Sequence, residues 1–106
     1  NWTVWPDVSR ATIHRNQVTL NIKTFTDTIV QAPDEDVLIN YEVIGTVDAA
    51  ARPQVLAVLT NANNDTIPIG VFISIDNAGL IRYSGSPTTA DENGCTVYLT
   101  NLVYNI

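Results

Sequence analysis

The chain of 106 residues contains no Met, one Cys, one His and only five Lys or Arg residues. The lone cysteine, Cys95, excludes an internal disulfide. The lone histidine, His14, leaves little material for a transition-metal site or a catalytic base. Five cations against eleven acids set the net charge at −6, which excludes the basic stripe that holds nucleic-acid phosphates. No apolar run approaches the roughly 18 residues that a membrane-crossing helix needs, and no signal-peptide pattern is present. Good helix fillers are scarce as well, with seven Leu and three Glu. What replaces them is 36 Val, Ile and Thr residues, whose branched side chains suit a pleated, half-buried surface. The composition therefore predicts an all-β protein. At 45% hydrophobic and 15% charged residues the chain can fill one ordinary core, and its length suits a single domain over residues 1–106. No repeat, linker or low-complexity tract interrupts it. The start at Asn1 without Met is read as the beginning of a C-terminal fragment of a longer protein.

Alternation and turn residues divide the chain into about eight short strands, the spacing of an antiparallel Greek-key barrel or sandwich. Arg10–Arg15 and Val18–Lys23 are predicted to form a hairpin around Asn16-Gln17, which sets Ala11 opposite Ile22 and Ile13 opposite Leu20 on the core face. Thr24–Val30 reads as an edge or bulged strand, and Ala32–Asp36 as a turn. Val37–Gly45 alternates with Val37, Ile39, Tyr41 and Val43 inward and Asn40 and Glu42 outward. Asp48–Pro53 is a loop. Val55–Leu59 is apolar on both faces, so it is either a central strand under a loop or part of a subunit interface. Asn61–Asp65 is a turn, and Ile67–Ile75 the strand after it.

Asn77-Ala78-Gly79 has the form of a three-residue hairpin loop with Gly at the left-handed position. That pairing sets Ile75 opposite Ile81 and Ile73 opposite Tyr83. Phe72, Ser74, Arg82 and Ser84 then share the other face, where an aromatic ring, two hydroxyls and a guanidinium could stack on a sugar and bond its substituents. Ser86–Asn93 is expected to be an exposed loop, with Asn93-Gly94 as a turn. Cys95–Ile106 buries Cys95, Val97 and Leu99, then changes phase near Asn101 so that Leu102, Tyr104 and Ile106 take over, as a bulge would cause. Cys95 is expected to be a buried, inert thiol. Trp2 and Trp5 either cover an end of the domain or pack on a neighbour. The acids of Asp34-Glu35-Asp36 and Asp91-Glu92 fall in turns, where carboxylates solubilise and cap, and no catalytic pair, calcium loop or phosphate loop is evident.

The run Gly70-Val71-Phe72-Ile73-Ser74-Ile75-Asp76-Asn77-Ala78-Gly79-Leu80-Ile81-Arg82-Tyr83-Ser84-Gly85, followed by Asn93-Gly94 and an aromatic-containing last strand, resembles the C-terminal head domain of receptor-binding proteins of lactococcal siphophages. Ala11–Leu20 and Arg52-Pro53 are similar to segments of the same domains. The resemblance implies a homotrimeric antiparallel barrel at the tip of the tail baseplate, joined to baseplate proteins through a preceding N-terminal part. It further implies binding of host cell-wall saccharide, or phosphopolysaccharide, near subunit boundaries, without catalysis and without a cofactor, metal, nucleic acid or membrane. Relatives place a His and an Asp where this chain has Phe72 and Ser74, a Trp at Ser84 and an Arg at Asp91. Arg82 and Tyr83 are left for phosphate contact and stacking. A structural tail or decoration module without glycan binding is the alternative.

Overall fold

A computed structural model describes residues 2–28, 38–60, 72–87, 89–91 and 94–106. Among them are nine strands and no α-helix: β1 (Thr3–Val4), β2 (Arg10–His14), β3 (Gln17–Thr26), β4 (Ile39–Thr46), β5 (Ala57–Thr60), β6 (Phe72–Ile75), β7 (Leu80–Gly85), β8 (Thr89–Asp91) and β9 (Gly94–Asn105). Sheet A runs β1-β3-β9-β8, with β2 also paired to β3, and sheet B runs β4-β7-β6-β5. Every pairing is antiparallel. Two open sheets face each other across one core, and neither closes into a barrel.

Alternation along the two longest strands builds the floor of that core. β3 buries Val18, Leu20, Ile22, Thr24 and Thr26, and β9 buries Cys95, Val97, Leu99, Leu102 and Tyr104. The phase change expected near Asn101 is present. The β3–β9 register shifts between Leu20 and Ile22, Asn101 takes a φ of 57°, and its N–H donates to Asn21 Oδ1 at 3.0 Å. Sheet B answers with Ile73, Ile75, Ile81 and Tyr83, none of them exposed. Burying one such aliphatic side chain contributes roughly 1.5–3 kcal/mol.

Several expectations are corrected. Thr24–Thr26 does not start an edge strand but completes a ten-residue β3 in the middle of sheet A. Backbone pairing to β1 and β9 continues through it, and the buried Thr24 hydroxyl shares its one proton between Ile44 O in sheet B at 2.9 Å and Thr3 O at 3.1 Å. The first hairpin turns at Arg15-Asn16, with Arg15 at φ 58°, so Ala11 pairs with Leu20 and Ile13 with Val18. That shift of two residues keeps the expected faces, yet all of β2 is exposed. In β4 only Ile39 and Ile44 are buried, and Tyr41 and Val43 face outward. Register shifts at Ile39/Glu42 and Val43/Gly45, with Tyr41 at φ 57°, break the alternation there. Ala49–Ala51 forms a 3-10 turn inside the predicted loop, and Thr89–Asp91 forms a strand inside another. The expected turns at Ala32–Asp36 and Asn61–Asp65, the inward Val37, residues 67–71 of the expected Ile67–Ile75 strand and Asn93 of the expected Asn93-Gly94 turn lie outside the described residues.

Cys95 is buried and unpaired, and burial pushes its thiol up to about 11, so it stays protonated and inert at neutral pH. Trp2 packs against the core and donates from Nε1 to Glu42 at 2.8 Å. Trp5 instead lies on the outer face of sheet A.

Candidate functional site

The β6–β7 hairpin forms as its turn residues require. Ile75 pairs with Ile81 and Ile73 with Tyr83, which sends Phe72, Ser74, Arg82 and Ser84 to the outer face of sheet B. Asp76 organises the turn. Its Oδ1 accepts from the N–H groups of Ala78 and Leu80, both at 3.0 Å, and its Oδ2 takes Arg82 Nη1 at 2.7 Å. One carboxylate therefore fixes both the shape of the loop and the direction of the guanidinium. The Arg82 contact is the main reason that the Asp76 carboxyl is held below its ordinary value, with the backbone N–H of Leu80 adding to it.

The cross-strand register extends this face across the whole sheet. Val43 pairs with Arg82, Arg82 with Ser74 and Ser74 with Val58, so one row crosses all four strands. Phe72 and Ser84 form the neighbouring pair. Tyr41 covers the row: Ser74 Oγ donates to its hydroxyl at 3.0 Å, and Arg82 Cζ lies 5.9 Å from its ring centroid. The exposed elements of the face are thus two aromatic rings, Phe72 and Tyr41, each about half exposed, and a partly exposed guanidinium anchored from one side. A planar apolar ring next to an oriented guanidinium suits a ligand with an apolar C–H face and polar or anionic substituents. Val55, Leu56 and Val58 continue the apolar surface along β5 and the residues before it, with Val55 78% exposed.

Two of the expected contact residues are not available to a ligand. Tyr83 has no exposed surface: it points into the core and donates its hydroxyl to Ser86 O. Burial pushes that phenol up to about 12. Ser74 belongs to the right face but is 2% exposed beneath Tyr41, so it positions the tyrosine instead of meeting solvent. Asp91 is on β8 of the opposite sheet and does not share the face. Phe72, Arg82 and Ser84 are brought together as expected. Tyr41 and Val43 are the residues of β4 that alternation placed wrongly, and Tyr41 is the one that reaches the site. The adjacent apolar pair Val43-Ile44, incompatible with a regular alternating strand, was the available sign that β4 changes phase.

No family model, curated protein or solved structure matches the chain.

Proposed function

We propose that this domain is the non-catalytic adhesion head of a phage tail, a homotrimer that binds a host cell-wall saccharide with the outer face of sheet B. The observation that carries the reading is the exposed grouping of Phe72 and Tyr41 around Arg82, which Asp76 holds in place before any ligand arrives. Preorganisation of this kind lowers the ordering cost of binding. With a net charge of −6 the long-range field repels an anionic glycan, so recognition depends on these short-range contacts.

The resemblance of Gly70–Gly85 to lactococcal phage adhesins supports the assignment to a tail tip, and the order β4-β7-β6-β5 supports a Greek-key path. A trimer gives the exposed Val55, Leu56 and Val58 a partner. Three weak sites on one rigid head then act together, and avidity comes from multivalency without new contacts.

The test is binding of the wild-type domain and Arg82→Ala to lactococcal cell-wall polysaccharide. Arg82→Ala is expected to weaken binding at least about tenfold, with the melting temperature within a few degrees of wild type, as for other substitutions near the surface. Unchanged binding would move the site off this face. The exposed apolar side chains of Leu56, Val58 and Phe72 favour a second reading, a tail or decoration module whose sheet B serves assembly only. That reading predicts a trimer that binds no polysaccharide.

A further inference from the structure

A second grouping of rings around a cation lies on the opposite side of the domain, on the outer face of sheet A. Lys23, in the middle of β3, is the register partner of Tyr98 on β9. Its Nζ lies 4.0 Å from the ring centroid of Trp5 and 5.6 Å from that of Tyr98. Phe25, two residues along the same face, packs edge-on against Trp5 at 5.9 Å and 76°. Trp5 and Tyr98 are each about two-fifths exposed.

The backbone around the lysine is fixed independently of its side chain. Trp5 N–H donates to Lys23 O at 2.8 Å. Ser9 Oγ accepts from Lys23 N–H at 2.9 Å and donates back to Lys23 O at 3.3 Å. Pro6 biases Trp5 towards the extended conformation that this edge contact needs. Among the described residues no carboxylate pairs with Lys23, although the chain carries eleven acids. Aromatic rings hold an ammonium in place without neutralising it or accepting its protons in full hydrogen bonds. The charge is therefore oriented, framed by apolar walls and still open to an anion.

We infer that Trp5, Lys23 and Tyr98 form a second binding site, specific for an acidic saccharide that carries a phosphate or carboxylate substituent. The Tyr98 ring, further from the ammonium than Trp5, offers its face to the C–H side of a pyranose. Lys23 takes the anionic substituent in a charge-assisted contact. The choice of a saccharide over other anions rests on the adhesion reading above, whereas the position of the site does not.

The test is titration of the 106-residue chain with glucose 1-phosphate, followed by amide and indole NMR signals. Shifts are expected at Trp5, Lys23 and Tyr98, with glucose and inorganic phosphate each binding at least about tenfold more weakly. Lys23→Met is expected to lose about tenfold or more in affinity, Lys23→Arg to recover most of it, and Tyr98→Leu to weaken the sugar phosphate but not inorganic phosphate. In Arg82→Ala the shifts at Trp5, Lys23 and Tyr98 are expected to keep their wild-type midpoint, and any shifts at Phe72 and Tyr41 report the sheet B site instead. That separates failure of this site from failure of the sheet B site, which the cell-wall polysaccharide experiment reads. Three results would overturn the inference: no shifts at about 20 mM ligand, which would nearly saturate a site with a Kd of about 1 mM; equal affinity for inorganic phosphate; or unchanged binding by a folded Lys23→Met variant.

Discussion

Gly79→Ala tests the feature on which the sheet B face depends, the turn between β6 and β7. Gly79 sits at φ +86°, donates its N–H to Asp76 O at 2.9 Å and accepts at its carbonyl from Val47 N–H at 2.8 Å. An added Cβ would lie 2.7 Å from Val47 O and 3.0 Å from Arg52 Nε. Arg52 is an exposed, flexible side chain and can swing away. The Val47 carbonyl is backbone, one residue's length from the N–H that bonds Gly79, so it cannot retreat without stretching that bond. Left-handed geometry costs a non-glycine residue about 1–2 kcal/mol, and a weakened hydrogen bond adds about 0.5–1.5 kcal/mol. The lower entropy of the unfolded alanine chain returns about 0.4–1 kcal/mol. The net loss is about 2 kcal/mol, or roughly 8–16 °C in melting temperature at about 4–8 °C per kcal/mol for a domain near this size. Urea unfolding should show a lower midpoint at an unchanged slope. Ala78→Gly, at the exposed neighbouring position, should cost less than about 1 kcal/mol. If Gly79→Ala came within about 0.5 kcal/mol of wild type, the turn would not have this shape, and the shared placement of Phe72 and Arg82 would lose its basis.

Two further outcomes follow from the same surfaces. Leu56→Asp and Val58→Asp change side chains that are 49% and 55% exposed in the single chain, so each variant should still fold, with the far-UV circular dichroism of the wild-type β domain. Light scattering should nevertheless fall from a trimer to a monomer mass, and a trimer retained by both variants would place the interface elsewhere. Asp76→Asn should change the acid limb of the stability profile. The folded Asp76 carboxyl titrates below its ordinary 3.8, so its contribution is present above that value and is lost as pH falls through the lower folded one. Wild type should therefore lose more melting temperature than Asp76→Asn between neutral pH and acid, and parallel profiles would show that the Arg82 contact is not felt.

The parts of the fold legible in the sequence are those fixed by local chemistry. Asn77-Ala78-Gly79 specifies its turn, and the turn specifies which residues of β6 and β7 share a face. The bulge in β9 could be read because the apolar positions change parity between Leu99 and Leu102. What could not be read depends on partners distant in sequence. Tyr41 adopts a left-handed backbone, costly for a tyrosine, while its hydroxyl takes a hydrogen bond from Ser74, 33 residues away. Thr24 looks like an edge residue until two carbonyls from other strands accept its hydroxyl. Alternation assigned Ala11 and Ile13 to the correct side, but it cannot say whether a second sheet extends far enough to cover them. Trp5, Lys23 and Tyr98 come from three separate segments, and no spacing in the chain announces that they meet.

The same register joins two expectations that the sequence kept apart. The doubly apolar segment around Val58 and the ligand face around Arg82 were separate surfaces in the linear reading, but Ser74 links them in one row across sheet B. In the proposed trimer, burying Val58 brings a neighbouring subunit next to Phe72 and Tyr41, so the saccharide would lie at a subunit boundary. Assembly and recognition are then thermodynamically linked. A ligand that contacts two subunits favours the trimer by the same free energy by which the trimer favours the ligand. Polysaccharide affinity should consequently rise with protein concentration through the range where monomers associate, and saturating polysaccharide should shift that range to lower concentration. An affinity independent of protein concentration across that range would mean that the glycan touches one subunit alone, leaving the β5 side of the face to assembly.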